Sequence, residues 1–153
     1  MEKDMPLPIT FSGIRPGEET DILNLIADVG LSVQDLESEK LVHFIVARIA
    51  DAVVGTVGLE PVGEVALLRS LAVAVNYRKQ AIASRLVAAI EKYARSHGVK
   101  ALYLLTLDAA DFFLKQSYQQ IDRETAPAGV QATEEFRTLC PATAQCLCKR
   151  FQA

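Results

Sequence analysis

The chain has 153 residues, half of them apolar, and its 16 basic and 19 acidic side chains leave a net charge of −3. That length is near the commonest domain size and can bury a sizeable core, so a single domain over residues 1–153 is expected. The well-mixed charge provides no nucleic-acid or membrane surface, no apolar run approaches the ~20 residues of a spanning helix, and the first residues lack a signal-peptide apolar region, so a cytoplasmic protein is expected.

In chain order, Ile9 to Ile14 alternates as a first strand, and Pro16-Gly17 marks a turn. Ile22, Leu25, Ile26 and Val29 then recur at helical spacing, with Gly30 placed to end the helix. Leu31 to Lys40 is polar and irregular, a loop or short helix. Leu41 to Ile49, Val53 to Glu60 and Val65 to Val73 are β-rich runs separated by Ala50-Asp51 and Pro61-Val-Gly63, short enough for hairpin turns. An antiparallel meander follows.

Ile82, Leu86, Ile90 and Ala94 line one face of the next helix, widened by Val87 and Tyr93 and closed by Gly98. Ala101 to Thr106 is a buried strand, and Asp108 is placed to cap a short helix carrying Phe112 and Phe113. Tyr118 to Asp122 begins another strand, Thr125 to Leu139 reads as a loop with a short helical segment, and Ala144 to Phe151 returns as a last strand. The order predicts an α/β (α+β) fold with a mixed central sheet of about seven strands and flanking helices.

The junction from Ser70-Leu-Ala-Val73 through Asn76-Tyr-Arg-Lys-Gln80 into the helix at Ala81-Ile82-Ala83 reads as an anion cradle. The first turn of a helix carries unpaired backbone N–H groups and the positive end of the dipole, and small side chains admit a phosphate. An ordinary packed helix start is the alternative. The spacing Arg78-x-x-Ala81-x-Ala83, behind Leu71-Ala-Val73 and Tyr77, resembles the GCN5-related N-acetyltransferase signature of Gln or Arg followed by x-x-Gly-x-Gly or Ala. Ala81 stands where that family usually has Gly, a departure that matters if a positive φ is needed there. More narrowly, Ala66-Leu-Leu-Arg-Ser-Leu-Ala-Val73, Leu102-Tyr-Leu-Leu-Thr106, Phe112-Phe113 and Leu139-Cys-Pro141 look like the acetyltransferases of bacterial arsenic-resistance operons, a likeness spanning roughly residues 15 to 150.

The resemblance implies acetyl-CoA as co-substrate and direct transfer of its acetyl group to the amine of a small, amino-acid-like acceptor. It implies that main-chain amides of Lys79, Gln80, Ala81, Ile82, Ala83 and Ser84 take the pyrophosphate, with Arg78 or Lys79 adding charge, and that a bulge at Leu71 and Val73 frees amides for the acetyl carbonyl and pantetheine arm. Family members often pair as homodimers.

An alkyl ammonium must lose a proton before it attacks, so a carboxylate is required. Glu60, closing an otherwise apolar strand before Pro61, is the catalytic candidate; Glu64 sits across the hairpin. Arg69 and Ser70 interrupt an apolar strand, and a charge there needs a partner or a cavity. Arg69 is therefore an acceptor-binding candidate with Ser70, or else the ion-pair partner of Glu60. His43 faces the same cleft or is a hydrogen-bonded structural residue; His97 is surface.

The family often places a Tyr general acid in Phe-Tyr-x-x-x-Gly-Phe, but here the segment reads Phe112-Phe113-Leu-Lys-Gln-Ser117-Tyr118, so water, Tyr118 or another hydroxyl must protonate the thiolate. A degenerate acyl-CoA-binding module is thus a second reading. Cys140, Cys146 and Cys148 are odd in number and expected to be reduced thiols, either buried small hydrophobes or a soft metalloid site. No metal is expected.

Overall fold

In a computed structural model, residues 8–78 and 81–152 are described. One seven-stranded sheet has the order β1-β2-β3-β4-β5-β7-β6, with strands β1 (Ile9–Gly13), β2 (Phe44–Ile49), β3 (Ala52–Val62), β4 (Val65–Val73), β5 (Ala101–Thr106), β6 (Gln119–Ile121) and β7 (Gln145–Arg150). The helices are α1 (Glu19–Asp28), α2 (Ser38–Leu41), α3 (Ile82–Ser96), α4 (Ala110–Lys115) and α5 (Ala128–Gln131). β4 pairs parallel with β5, as a strand-helix-strand crossover demands, whereas β1/β2, β2/β3, β5/β7 and β6/β7 are antiparallel.

Contacts divide the chain into two compact units, one running to Gly58 and including Ser70–Ile90, the other comprising Leu59–Arg69 and the chain from Glu91. In the first, Ile22 and Ile26 of α1 are fully buried and pack with Leu36, Leu41, Phe44, Val46 and Ala72. Ala50 and Asp51 both adopt positive φ, 50° and 66°, which matches the twist of a two-residue hairpin. Gly58 admits the Phe44 ring: a Cβ there would lie 2.2 Å from Phe44 Cζ. Gly55 plays the same part for α3, since its Cβ would come to 3.0 Å of Leu86 Cδ1 and 3.3 Å of Ile82 Cγ2.

In the second unit, Leu67, Ala101, Tyr103, Ala126, Val130, Phe136, Cys146 and Cys148 form the core. Cys146 and Cys148 share a sheet face with Tyr103, which is the register partner of Cys148. At the end of α3, Gly98 takes φ 79° and the Val99 amide reaches back to the Ala94 carbonyl, the left-handed termination that glycine permits.

Several boundaries differ from the sequence expectation. The strand expected from Leu41 begins at Phe44, because Leu41 closes the one-turn helix α2. Pro61 and Val62 continue β3, and the turn falls at Gly63, which reaches φ 62°. Asp108 does not cap α4; the Ala109 amide ahead of that helix donates instead to Thr106 Oγ1 at 2.9 Å. Tyr118 precedes β6 as a core residue, and 125–139 carries α5 and a π-helical turn, Glu135–Leu139.

Candidate functional site

β4 is apolar and buried from Ala66 to Leu68, and then carries Arg69 and Ser70, both buried. Ser70 has φ +59°, a left-handed residue inside a strand, which breaks the pleat where Leu71 to Val73 follow. Such a kink turns main-chain groups away from the ladder. Leu71 is half-buried, and the Val73 carbonyl accepts a hydrogen bond from Arg78 Nε at 3.3 Å. The exposed Arg78 is thereby folded onto the strand end it follows. After a 3-10 turn at Val75–Tyr77 the chain enters α3 through Ala81.

Ala81 takes φ +60°, so the right-handed alternative is not adopted, and a Cβ is present in the conformation glycine prefers. The first helical hydrogen bond runs from the Arg85 amide to the Ala81 carbonyl at 3.1 Å. The amides of Ile82, Ala83 and Ser84 lie ahead of it, in the turn where a helix has no acceptors of its own to offer. Ile82 is buried against the sheet while Ala83 and Ser84 are partly open. Lys79 and Gln80, expected in the same cradle, lie outside the described residues.

In the second unit, the Arg69 guanidinium, 1% exposed, is held by two carboxylates. Its Nη1 donates to Glu60 Oε1 at 3.1 Å, and its Nε lies 3.5 Å from Glu135 Oε1. Glu60, on β3, keeps a 20% exposed side chain, more open than Glu135 at 12%. The ion-pair reading of Arg69 is the arrangement found, with a second carboxylate that the sequence did not reveal because its segment read as a loop. Glu64 is on the surface with Lys100 at 3.1 Å. His43 lies in the turn between α2 and β2, not within a strand, and its amide bonds the Lys40 carbonyl at 3.5 Å. It belongs to the first unit, Arg69 and Glu60 to the second. His97 is exposed and stacks on Tyr93, with ring centroids 4.1 Å apart.

Phe113 is buried, edge-on to Tyr118 with centroids 5.3 Å apart, and offers no proton. The Tyr118 hydroxyl donates to Glu91 Oε2 at 2.9 Å inside the core, and burial together with that carboxylate drives its acidity far below that of an ordinary phenol. Tyr118 is therefore unsuited to protonate a thiolate. The Cys140 and Cys146 thiols are pushed up to about 11, chiefly by burial, and burial also raises Cys148. They are protonated thiols at neutral pH, and among the described residues no group of three His, Cys, Asp or Glu side chains is disposed to hold a metal ion.

A family model described as the acetyltransferase (GNAT) family matches residues 16–118, well over half of the chain. No curated protein matches significantly. Among solved structures, N-acetylglutamate synthase from Neisseria gonorrhoeae, complexed with coenzyme A and N-acetyl-glutamate, superposes with a TM-score of 0.83 at 16% identity over 95% of this chain. The chain spans only 36% of that protein's length. Rv2747 from Mycobacterium tuberculosis, in complex with CoA, gives a TM-score of 0.77 at 18% identity, covering 94% of this chain and 99% of the other. Naa50 from Arabidopsis thaliana, in complex with the bisubstrate analogue CoA-Ac-MVNAL, gives 0.65 at 15% identity, covering 94% and 99%. At such identities the likeness establishes the fold, that of the acyl-CoA N-acyltransferases.

Proposed function

From the premise that the chain belongs to the acetyltransferase (GNAT) family, we propose that it transfers acetyl from acetyl-CoA directly to the amine of a small, amino-acid-like acceptor. The observation that carries this reading is the content of β4 and its continuation. In consecutive residues the strand holds a buried guanidinium paired to a half-open carboxylate and a left-handed kink, and it leads to a helix start whose first amides precede the first helical hydrogen bond.

Three of the four chemical tasks have candidates in the chain. Main-chain amides from Lys79 to Ser84 are the candidates for the pyrophosphate, with Arg78 or Lys79 adding charge. Main chain at Leu71 and Val73, beyond the Ser70 kink, suits the thioester carbonyl and the pantetheine arm. Glu60 takes the ammonium proton, directly or through water, and the freed amine attacks the carbonyl as the C–S bond breaks. Water returns a proton to the departing thiolate, since Phe113 has no hydroxyl and that of Tyr118 is committed to Glu91. With Arg69 held by Glu60 and Glu135, recognition by Arg69 requires an acceptor to join this charge cluster, not to meet an isolated cation; Ser70 and His43 are the other candidates for binding the acceptor.

The printed ligands of the similar structures include an N-acetylated amino acid and a peptide-derived analogue, so both acceptor classes belong in a test. The motif likeness to arsenic-operon enzymes adds amino-acid antimetabolites carrying arsenic or phosphorus. This reading treats residues 1–153 as one acetyltransferase domain in the cytoplasm, alone or as a homodimer.

The test is release of CoA thiol with a panel of amino acids, phosphinothricin-like amino acids and short peptides, beside calorimetric titration with acetyl-CoA. The expected result is release with an amino-acid-like amine and a loss of about 10²-fold or more in Glu60→Gln. Binding of acetyl-CoA without release for any amine would instead establish an acyl-CoA-binding module, the reading that Phe113 favours.

A further inference from the structure

A cavity of about 360 Å³ opens on one face of β5, β7 and β6, inside the second unit, and none of Glu60, Arg69 and Glu135 lines it. Its floor follows from the strand register. Tyr103 of β5 is paired with Cys148 of β7, which is paired in turn with Gln119 of β6, so these side chains project from one face, joined by Arg150 two residues further along β7. Tyr103 and Cys148 are buried, and the half-buried Ile121 adds an apolar wall. Burial holds the Tyr103 phenol above its ordinary value, so it remains a protonated hydroxyl beside the Cys148 thiol.

The rim carries donors. Arg150 Nη2 reaches the Tyr103 hydroxyl only at 3.5 Å, the far limit of a hydrogen bond, and among the described residues Arg150 forms no ion pair. Lys149 turns to the opposite face of the strand, where Glu91 takes its ammonium at 3.0 Å, which leaves Arg150 as the charge the cavity receives. Ser117 is the left-handed residue that ends α4, at φ 74°, with the Tyr118 amide reaching back to the Phe113 carbonyl. Glycine is favoured at that position, and a serine there sets a hydroxyl at the rim. Gln119 adds a carboxamide, and neither side chain has another partner among the described residues. Thr125, also lining the cavity, gives its hydroxyl hydrogen to the Asp122 carbonyl at 2.6 Å. Among the described residues, no Asp or Glu lines the cavity.

A guanidinium fork facing a concavity that holds hydroxyl and amide donors, and no carboxylate, is matched to an oxyanion that can take two of its N–H groups at once. Partial enclosure strengthens such a pair beyond the small worth of an ion pair on open surface. The apolar floor suits a carbon skeleton better than a bare inorganic ion, and the volume lies at the small end of ligand pockets. We propose that this cavity is a second small-molecule site, for an organic acid of metabolite size whose carboxylate meets Arg150, Ser117 and Gln119 and whose skeleton rests on Tyr103, Ile121 and Cys148. The site is separate from the groups assigned to acetyl transfer.

The test is calorimetric titration of the whole chain with benzoate, glutarate, inorganic phosphate and the uncharged benzamide, beside backbone amide NMR shifts. One of the two carboxylates is expected to bind, to shift the amides of Gln119 and Arg150, and to lose about tenfold or more in affinity in Arg150→Leu. Phosphate and benzamide are expected to bind at least about tenfold more weakly than that carboxylate. Should Arg150→Leu not fold, Arg150→Gln, which keeps a donor without the charge, takes its place with the same loss expected. The proposal is overturned if neither carboxylate binds, if affinity is unmoved by loss of the Arg150 charge, or if the shifts are confined to the surroundings of Arg69. Phosphate binding as tightly as the carboxylate would make this a site for an inorganic anion, and benzamide doing so would remove the role of charge; either result also overturns it.

Discussion

Tyr118 gives its hydroxyl hydrogen to the Glu91 carboxylate at 2.9 Å, and Lys149 Nζ closes on the same carboxylate at 3.0 Å while donating to the Gln116 carbonyl, also at 3.0 Å. The phenol, carboxylate and ammonium tie α3, the end of α4 and β7 together inside the second unit. They answer one another's hydrogen-bonding needs, so the trio is a structural lock.

It follows that Tyr118→Phe should cost about 2 kcal/mol of stability, the order expected for a buried hydrogen bond to a charged group, and leave the rate of thiol release within about twofold. Urea denaturation and steady-state kinetics check both. A hundredfold loss of rate in a variant that melts like the wild type would return Tyr118 to the list of proton donors.

Ala81 holds φ +60° with a methyl group in place. Removing the methyl relieves left-handed strain of about 1 kcal/mol, and the greater freedom of glycine in the unfolded chain offsets part of it. Ala81→Gly is therefore expected to raise the melting temperature slightly and to tighten acetyl-CoA, whereas Ala81→Val should weaken both. Calorimetry on the three proteins measures this, and an affinity ranking of Val above Gly would show that the turn does not set access to the amides.

Phe44 occupies the space a side chain at Gly58 would take, with three ring atoms between 2.2 and 2.7 Å from the position of a Cβ. Gly58→Ala should cost about 3 kcal/mol by forcing the buried ring out of its rotamer. Phe44→Leu in the same chain makes room and should recover part of that loss. Non-additivity in a double-mutant cycle by urea denaturation is the signature; strictly additive costs would place the damage elsewhere.

Arg48, 1% exposed, donates to both oxygens of Glu18, Nε to Oε2 at 2.6 Å and Nη2 to Oε1 at 2.5 Å, with Ser12 Oγ and the Gly13 carbonyl accepting two further N–H groups at 2.7 Å. The Arg48 hydrogen bonds hold the Glu18 carboxyl below its ordinary range, against an opposing push from burial. A carboxylate lowered on folding contributes stability that is full above its unfolded-state value and is lost as pH falls through the lower folded-state value. Glu18→Gln should thus cost about 3 kcal/mol near neutrality, where it leaves a buried guanidinium without its counter-charge. The gap between variant and wild type should close on the acid side of the carboxylate range. Denaturation from pH 7 downward reads the gap, and a gap that widens with acid would reverse the sign of the argument.

The periodic parts of this protein were legible in its sequence because their causes are local. Ile22, Leu25, Ile26 and Val29 lie on one face of any helix through them, Leu86 and Ile90 likewise, and Ala50-Asp51 ends two strands whichever sheet receives them. The helix start beyond Arg78 was legible for the same reason, since small residues after a strand are a matter of neighbours in the chain. The left-handed turns at Ser70 and Ala81 were not, because neither residue favours them and only the surrounding packing imposes them. Nor was the meeting of Glu60, Arg69 and Glu135, which depends on the hairpin at Gly63 and on a π-helical turn supported by Arg123. Local propensity selects elements within a few residues, whereas a buried charge is balanced only by what the register of distant segments sets beside it. The tertiary structure alone decided which carboxylates share the guanidinium.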